Sequence, residues 1–93
     1  MKIVWLTPSR RDLTDIIIYI ADDNPLAAIE LDEAIISAAN GLADFPQMGR
    51  LGRVVGTREL IVCNNYIIVY QVLKNELHIL AILHASRQWP PIA

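Results

Sequence analysis

The sequence contains a single cysteine, Cys63. One thiol excludes an intrachain disulfide and a thiolate metal cluster, and its place in an apolar, strand-like run predicts a small core residue. Only two histidines are present, His78 and His84. No Cys, His or Asp stands near them at a zinc-binding spacing, so no metal site is expected. Glycine is sparse at four residues, and none leads into a helix through a GK[ST] signature, which excludes a phosphate-cradling loop. No Ser-His-Asp arrangement can be argued, and no cofactor is expected. The apolar runs IIIYIA and YIIVYQVL are far too short to span a bilayer. No basic-then-apolar leader opens the chain. A cytoplasmic protein with no membrane partner is the expectation.

What the chain does have is apolar residues, 54% of its 93 positions, with a mean hydropathy of +0.36. A single domain spanning 1–93 has only a small core. The excess therefore predicts that part of the surface meets a partner. The net charge of −2 argues against general nucleic-acid binding, but the halves differ. Residues 1–45 hold eight acids and three bases, a balance of −5. Residues 46–93 hold two acids, Glu59 and Glu76, and five bases, Arg50, Arg53, Arg58, Lys74 and Arg87, a balance of +3. Taken singly, each of these charges can equally be surface decoration.

The periodicity gives the order β-α-α-β-β-β. KIVWLT (2–7) is strand-like and closes at Pro8. Ser9 is placed as an N-cap with Asp12 three residues on. Leu13, Ile16, Ile17 and Ile20 then form one helical face. Asn24-Pro25 predicts the cap and first residue of a second helix, with Ala27, Ala28, Leu31, Ala34, Ile35, Ala38, Ala39 and Leu42 on its inner face and a stop at Asn40-Gly41. FPQMGRLGR (45–53) reads as a connector. TRELIVC (57–63), YIIVYQV (66–72) and ELHILAIL (76–83) form an antiparallel meander with turns at Asn64-Asn65 and Leu73–Asn75. The last two strands are apolar on both sides, which predicts helices on one face and the tail or a neighbour on the other. Ile29 and Ile36, seven apart, and Ile18 fall off the inner faces and predict a groove for an amphipathic partner segment.

The segment ILHASRQWPP (82–91) places His84 and Arg87 just past a strand end. A histidine can shuttle a proton near neutral pH, and an arginine can grip a phosphate with a bidentate fork. Joined by Arg58, Arg50, Arg53, Tyr66 and Tyr70, they would line a basic concavity for phosphate contact or metal-free RNA cleavage. The structural alternatives stand beside this. His84 can simply bond strand-end carbonyls, Arg87 can lie over Trp89, and the tyrosines can be core. His78 is read as a surface or satisfied histidine.

Taken together, WLTPSRRDLTDIIIYIADDNPLAA, FPQMGRLGR, TRELIV, YIIVYQV and ILHASRQWP resemble, over nearly the whole chain, the RelE/ParE superfamily of toxins from bacterial type II toxin–antitoxin modules. The resemblance is closer to ParE, through the ending in which a strand runs into a histidine, an arginine three later, an aromatic and a proline. It implies an α+β fold, a helical hairpin packed on a small antiparallel sheet. It also implies an antitoxin that wraps the toxin, with Ile18, Ile29 and Ile36 as its contacts and higher-order toxin–antitoxin assembly. The implied action is growth inhibition, and plasmid stabilisation is among the roles it suggests. The superfamily has two targets. ParE-like members poison DNA gyrase and are not nucleases themselves, whereas RelE-like members cut mRNA on the ribosome without a metal. No tyrosine follows position 70 and no lysine cluster is present, which thins a nuclease set and favours gyrase. Arg53, Arg58, His84, Arg87 and Trp89 are the implied target contacts. In the nuclease reading His84, Arg87 and Arg58 would be catalytic. A non-catalytic dimerisation or scaffold module is the reading outside the toxin class.

Overall fold

A computed structural model describes residues 1–86 together with 89 and 90. The elements run β1 (Lys2–Trp5), α1 (Thr7–Asp23), α2 (Pro25–Gly41), β2 (Arg50–Leu51), β3 (Arg58–Val62), β4 (Tyr66–Val72) and β5 (Glu76–His84). The strands form one sheet in the order β1-β5-β4-β3-β2, and both helices pack on one of its faces. The α+β hairpin-on-sheet architecture is therefore the expected one, with two differences. The connector contributes a short edge strand, β2, and the sheet is mixed, because β1 lies parallel to β5 with Trp5 opposite Ile79.

Helix α1 begins three residues earlier than the expected cap at Ser9 would place it. Leu6 is the N-cap, and Pro8 sits in the first turn, where its missing N–H has no partner to lose. Ser9 is not the cap. Its buried hydroxyl donates to the Leu6 carbonyl at 2.6 Å. Asn24 does cap α2, accepting from the Ala27 N–H at 3.1 Å. The core forms where the inner stripe of α2 (Leu31, Ile35, Ala39, Leu42) meets Ile68, Tyr70, Leu77, Ile79 and Ile82 of the sheet. Leu13, Ile16, Ile17 and Ile20 of α1 close it. The other face of the sheet holds a smaller cluster of Ile67, Val69, Ala81 and Leu83, against which Trp89 packs. This explains why β4 and β5 are apolar on both sides: the helices cover one face and Trp89 packs on the other.

Cys63 departs from its expected place. The β3–β4 turn puts Cys63 and Asn64 at φ 52° and 64°, and the thiol is exposed rather than in the core. A turn residue cannot follow the strand's inward alternation.

Candidate functional site

The residues singled out in the sequence fall at two ends of the sheet. Arg58 lies opposite Tyr70, whereas Tyr66 lies opposite both Val62 and His84. Four residues of strand, about 13 Å, and the width of β4 therefore separate Arg58 from His84. His84 is therefore not brought together with Arg50, Arg53 and Arg58.

At the arginine end, β2 and the loops on either side of it form an arm, residues 45–57, held down by two buried side chains. Glu59, only 2% exposed, accepts from Arg50 Nη2 at 3.0 Å and from the Arg53 backbone N–H at 3.0 Å, with Arg53 Nε at 3.3 Å. Burial alone would raise its pKa. The Arg53 backbone N–H, the Arg50 hydrogen bond and the two positive charges outweigh burial and hold the carboxyl below the ordinary glutamate range. Tyr70 is fully buried. Its hydroxyl donates to the Pro46 carbonyl at 2.8 Å and accepts from the Gly49 N–H at 2.9 Å. Burial pushes its pKa up, opposed by the Gly49 N–H and the Arg58 charge. Arg58 Nη1 donates to the Gly49 carbonyl at 2.8 Å. Gly49 admits no side chain: a Cβ there would lie 2.7 Å from the Tyr70 hydroxyl and 2.9 Å from the Glu59 carbonyl oxygen. All three arginines of this region thus take part in holding the arm.

At the other end, β5 runs past the last residue of β1, and its open edge meets α1 in a cavity of about 540 Å³ lined in part by Asp12, Asp15, Tyr19, Tyr66, His84 and Ser86. Asp12 was placed by its sequence beside the N-cap. Instead its Oδ2 accepts from the Ile82 N–H at 3.0 Å and satisfies a sheet donor that β1 is too short to reach. His84 Nδ1 lies 2.8 Å from the Ser86 hydroxyl and accepts from the Ser86 N–H at 3.2 Å, and its ring meets Tyr66 edge-on at 5.4 Å. The ring's near neighbours are therefore Ser86 and Tyr66, and Asp12, Asp15 and Tyr19 line the same cavity. Trp89 packs on the opposite face of the sheet from the helices, so it does not join His84. Arg87 lies outside the described residues. His78 is bonded to Glu76 at 2.9 Å, which lowers the Glu76 pKa. Ile18, Ile29 and Ile36 are all exposed on the helical hairpin. Among the described residues no three acids, histidines or cysteines come together as metal ligands, and no helix is long and apolar enough to cross a membrane.

The family model of the ParE toxin of the type II toxin–antitoxin system, parDE, matches residues 3–89. The chain belongs to the ParE toxin family. Among its relatives, a putative toxin, Y4kP, of Sinorhizobium fredii (strain NBRC 101917 / NGR234) is 38% identical over 92 residues, covering 98% of this chain and 95% of the relative. Toxin RelE2 of Caulobacter vibrioides (strain ATCC 19089 / CIP 103742 / CB 15) is 40% identical over 86 residues, covering 92% and 97%. A solved structure of the chromosomal ParDE TA system from P. aeruginosa shares the fold, with a TM-score of 0.81 at 23% identity over 90% of this chain and 95% of that one. As a ParE-family toxin of a type II module, the protein has a cognate antitoxin protein as partner.

The residues that sequence reasoning missed as site-builders are Glu59 and Asp12, while Tyr70, expected in a basic concavity or the core, is a core residue whose hydroxyl holds the arm. One signal was available. Glu59 is the single acid between residues 45 and 75, in an apolar strand and among three arginines. A lone acid so placed points to a buried ion pair.

Proposed function

We propose that this ParE-family toxin, when free of its antitoxin, stops growth by poisoning DNA gyrase rather than by cutting RNA. The observation that carries the reading is the separation of His84 from Arg58. A metal-free ribonuclease needs its proton-transfer group and its phosphorane-stabilising cations on one phosphate. Here the imidazole opens on the cavity that Asp12 and Asp15 also line, while Arg50 and Arg53 share Glu59 at the far end. In this reading Arg53, Arg58, His84, Arg87 and Trp89 are target contacts, not catalysts. The antitoxin's amphipathic segment covers the exposed Ile18, Ile29 and Ile36. The second reading, a ribosome-dependent mRNA endonuclease, is favoured by the name of one relative, Toxin RelE2. The chain is induced without its antitoxin, and DNA and transcripts are followed in the same cells. Gyrase-linked DNA breaks with intact transcripts are expected. Rapid cleavage of translated mRNA with intact DNA would replace the gyrase reading with the nuclease one.

A further inference from the structure

The arm displays apolar side chains in an unusual setting. Phe45, Met48, Leu51 and Val55 are all exposed, Leu51 to 78% and Val55 to 100%. Apolar loop tips ordinarily fold inward or stay mobile. These do neither, because the backbone beneath them is fixed at five points. Tyr70 holds Pro46 and Gly49, Arg58 holds the Gly49 carbonyl, and Glu59 holds the Arg53 N–H. Gly52 N–H donates to the Thr57 carbonyl at 2.8 Å. A surface fixed in this way binds without an ordering cost. It lies at the β2 edge of the sheet, opposite the β1–β5 edge over which α1 packs.

The charge on the arm indicates what it meets. Residues 45–60 hold Arg50, Arg53 and Arg58 against Glu59 alone, three positive charges and one negative, or +2. The Arg50 side chain is 54% exposed and that of Arg53 38%. A surface that tracks a nucleic-acid backbone presents cations in series with aromatic rings for stacking. This one presents aliphatic tips flanked by arginines already oriented by Glu59, and Phe45 is its one aromatic ring. That is the composition of a protein-docking patch, an apolar centre with an arginine rim. We propose that residues 45–55 are a preorganised docking arm for an acid-rimmed apolar protein surface on the toxin's target. Leu51 and Val55 are the apolar contacts, Arg50 and Arg53 form the rim, and Glu59 and Tyr70 are positioning residues. Where the target is named as gyrase, the inference rests on the reading above.

The test uses the full chain with Leu51→Asp and Val55→Asp together, and Val55→Asp alone, since a fully exposed side chain cannot disturb the core. Three readouts are taken: binding to purified gyrase, growth arrest on induction, and capture by the cognate antitoxin as the check on fold. The double variant is expected to lose about tenfold or more in gyrase binding and to lose growth arrest, with antitoxin capture unchanged. Val55→Asp alone is expected to show a smaller loss in both. If wild type arrests growth without binding gyrase and the variants fail to arrest, the gyrase reading falls and the arm stands. Folded variants that arrest growth as wild type does would overturn the arm. So would dependence on Arg50 and Arg53 alone with transcript cleavage, which would reassign the surface to RNA. Concentration-dependent dimers of the wild type that Val55→Asp abolishes would reassign it to a second copy of the chain.

Discussion

The two ends of the sheet are built on opposite principles. At the arginine end a buried acid and a buried phenol bind backbone and cations tightly, so a long connector becomes a fixed arm with its apolar tips outward. At the histidine end the sheet runs out of partners. One strand overshoots its neighbour, a helix carboxylate covers one open donor, and the imidazole is exposed beside a cavity. Charges that looked like one basic site in the sequence are thus divided between a scaffold and an open edge. The lesson is that an arginine's role depends on what has already claimed it. Two arginines on one buried glutamate and a third on the Gly49 carbonyl are first of all a structural device.

The contrast can be broken most severely at Gly49. Gly49→Ala forces a methyl group against the Tyr70 hydroxyl and the Glu59 carbonyl, and a loss of about 3 kcal/mol is expected in denaturant unfolding. Tyr70→Phe removes the hydroxyl that serves both Pro46 and Gly49 and is expected to cost about 2 kcal/mol. The two together should cost less than their sum, because they break the same contact. Additive losses would show that the hydroxyl does not organise the Gly49 turn.

Glu59→Gln keeps the shape and an acceptor for the Arg53 N–H but removes the charge. A loss of about 1 to 2 kcal/mol is expected at neutral pH, modest because both arginines are partly solvated. The pH dependence follows from the lowered carboxyl. The unfolded chain takes up the proton at higher pH than the folded one. The contribution of Glu59 is therefore present above the ordinary glutamate range and is lost as pH falls through the lower folded pKa. The acid limb of the stability curve should be shallower in Glu59→Gln, and an unchanged limb would remove Glu59 as its source.

At the other end the effects are smaller. Asp12→Ala leaves the Ile82 N–H without its partner. It should cost about 1 kcal/mol and speed hydrogen exchange at Ile82, with the arm unaffected. Smallest of all, His84→Ala should barely move the melting temperature, since the ring is exposed and bonded to Ser86. Growth arrest that survives His84→Ala would sharpen the contrast by removing the imidazole from chemistry. Abolished arrest, with transcripts that the wild type cleaves left intact by the variant, would restore it as a catalyst, whereas abolished arrest with lost gyrase binding would leave it a target contact.

Much of this was legible because it is local. Spacing alone placed the inner stripes of both helices, the Asn24 cap, the exposed Ile18, Ile29 and Ile36, and three meander strands to within a residue or two. Where the reading missed, a distant contact had overridden a local preference. Ser9 looked like a cap, but the chain had already turned at Leu6, where the Leu6 N–H is held by Ile79 of β5. Cys63 looked apolar and inward until the hairpin's handedness required a positive φ. The sequence by itself determined every element but β2 and the excess apolar surface, because periodicity and composition are set by neighbours within a few residues, and its quoted segments carried the resemblance to a toxin family. Only the tertiary structure decided that Asp12 reaches a strand 70 residues away, that Tyr70 grips a loop 24 residues before it, and that His84 and Arg58 never meet. Those outcomes depend on strand order and register, which are set by the packing of the whole core and not by any one segment.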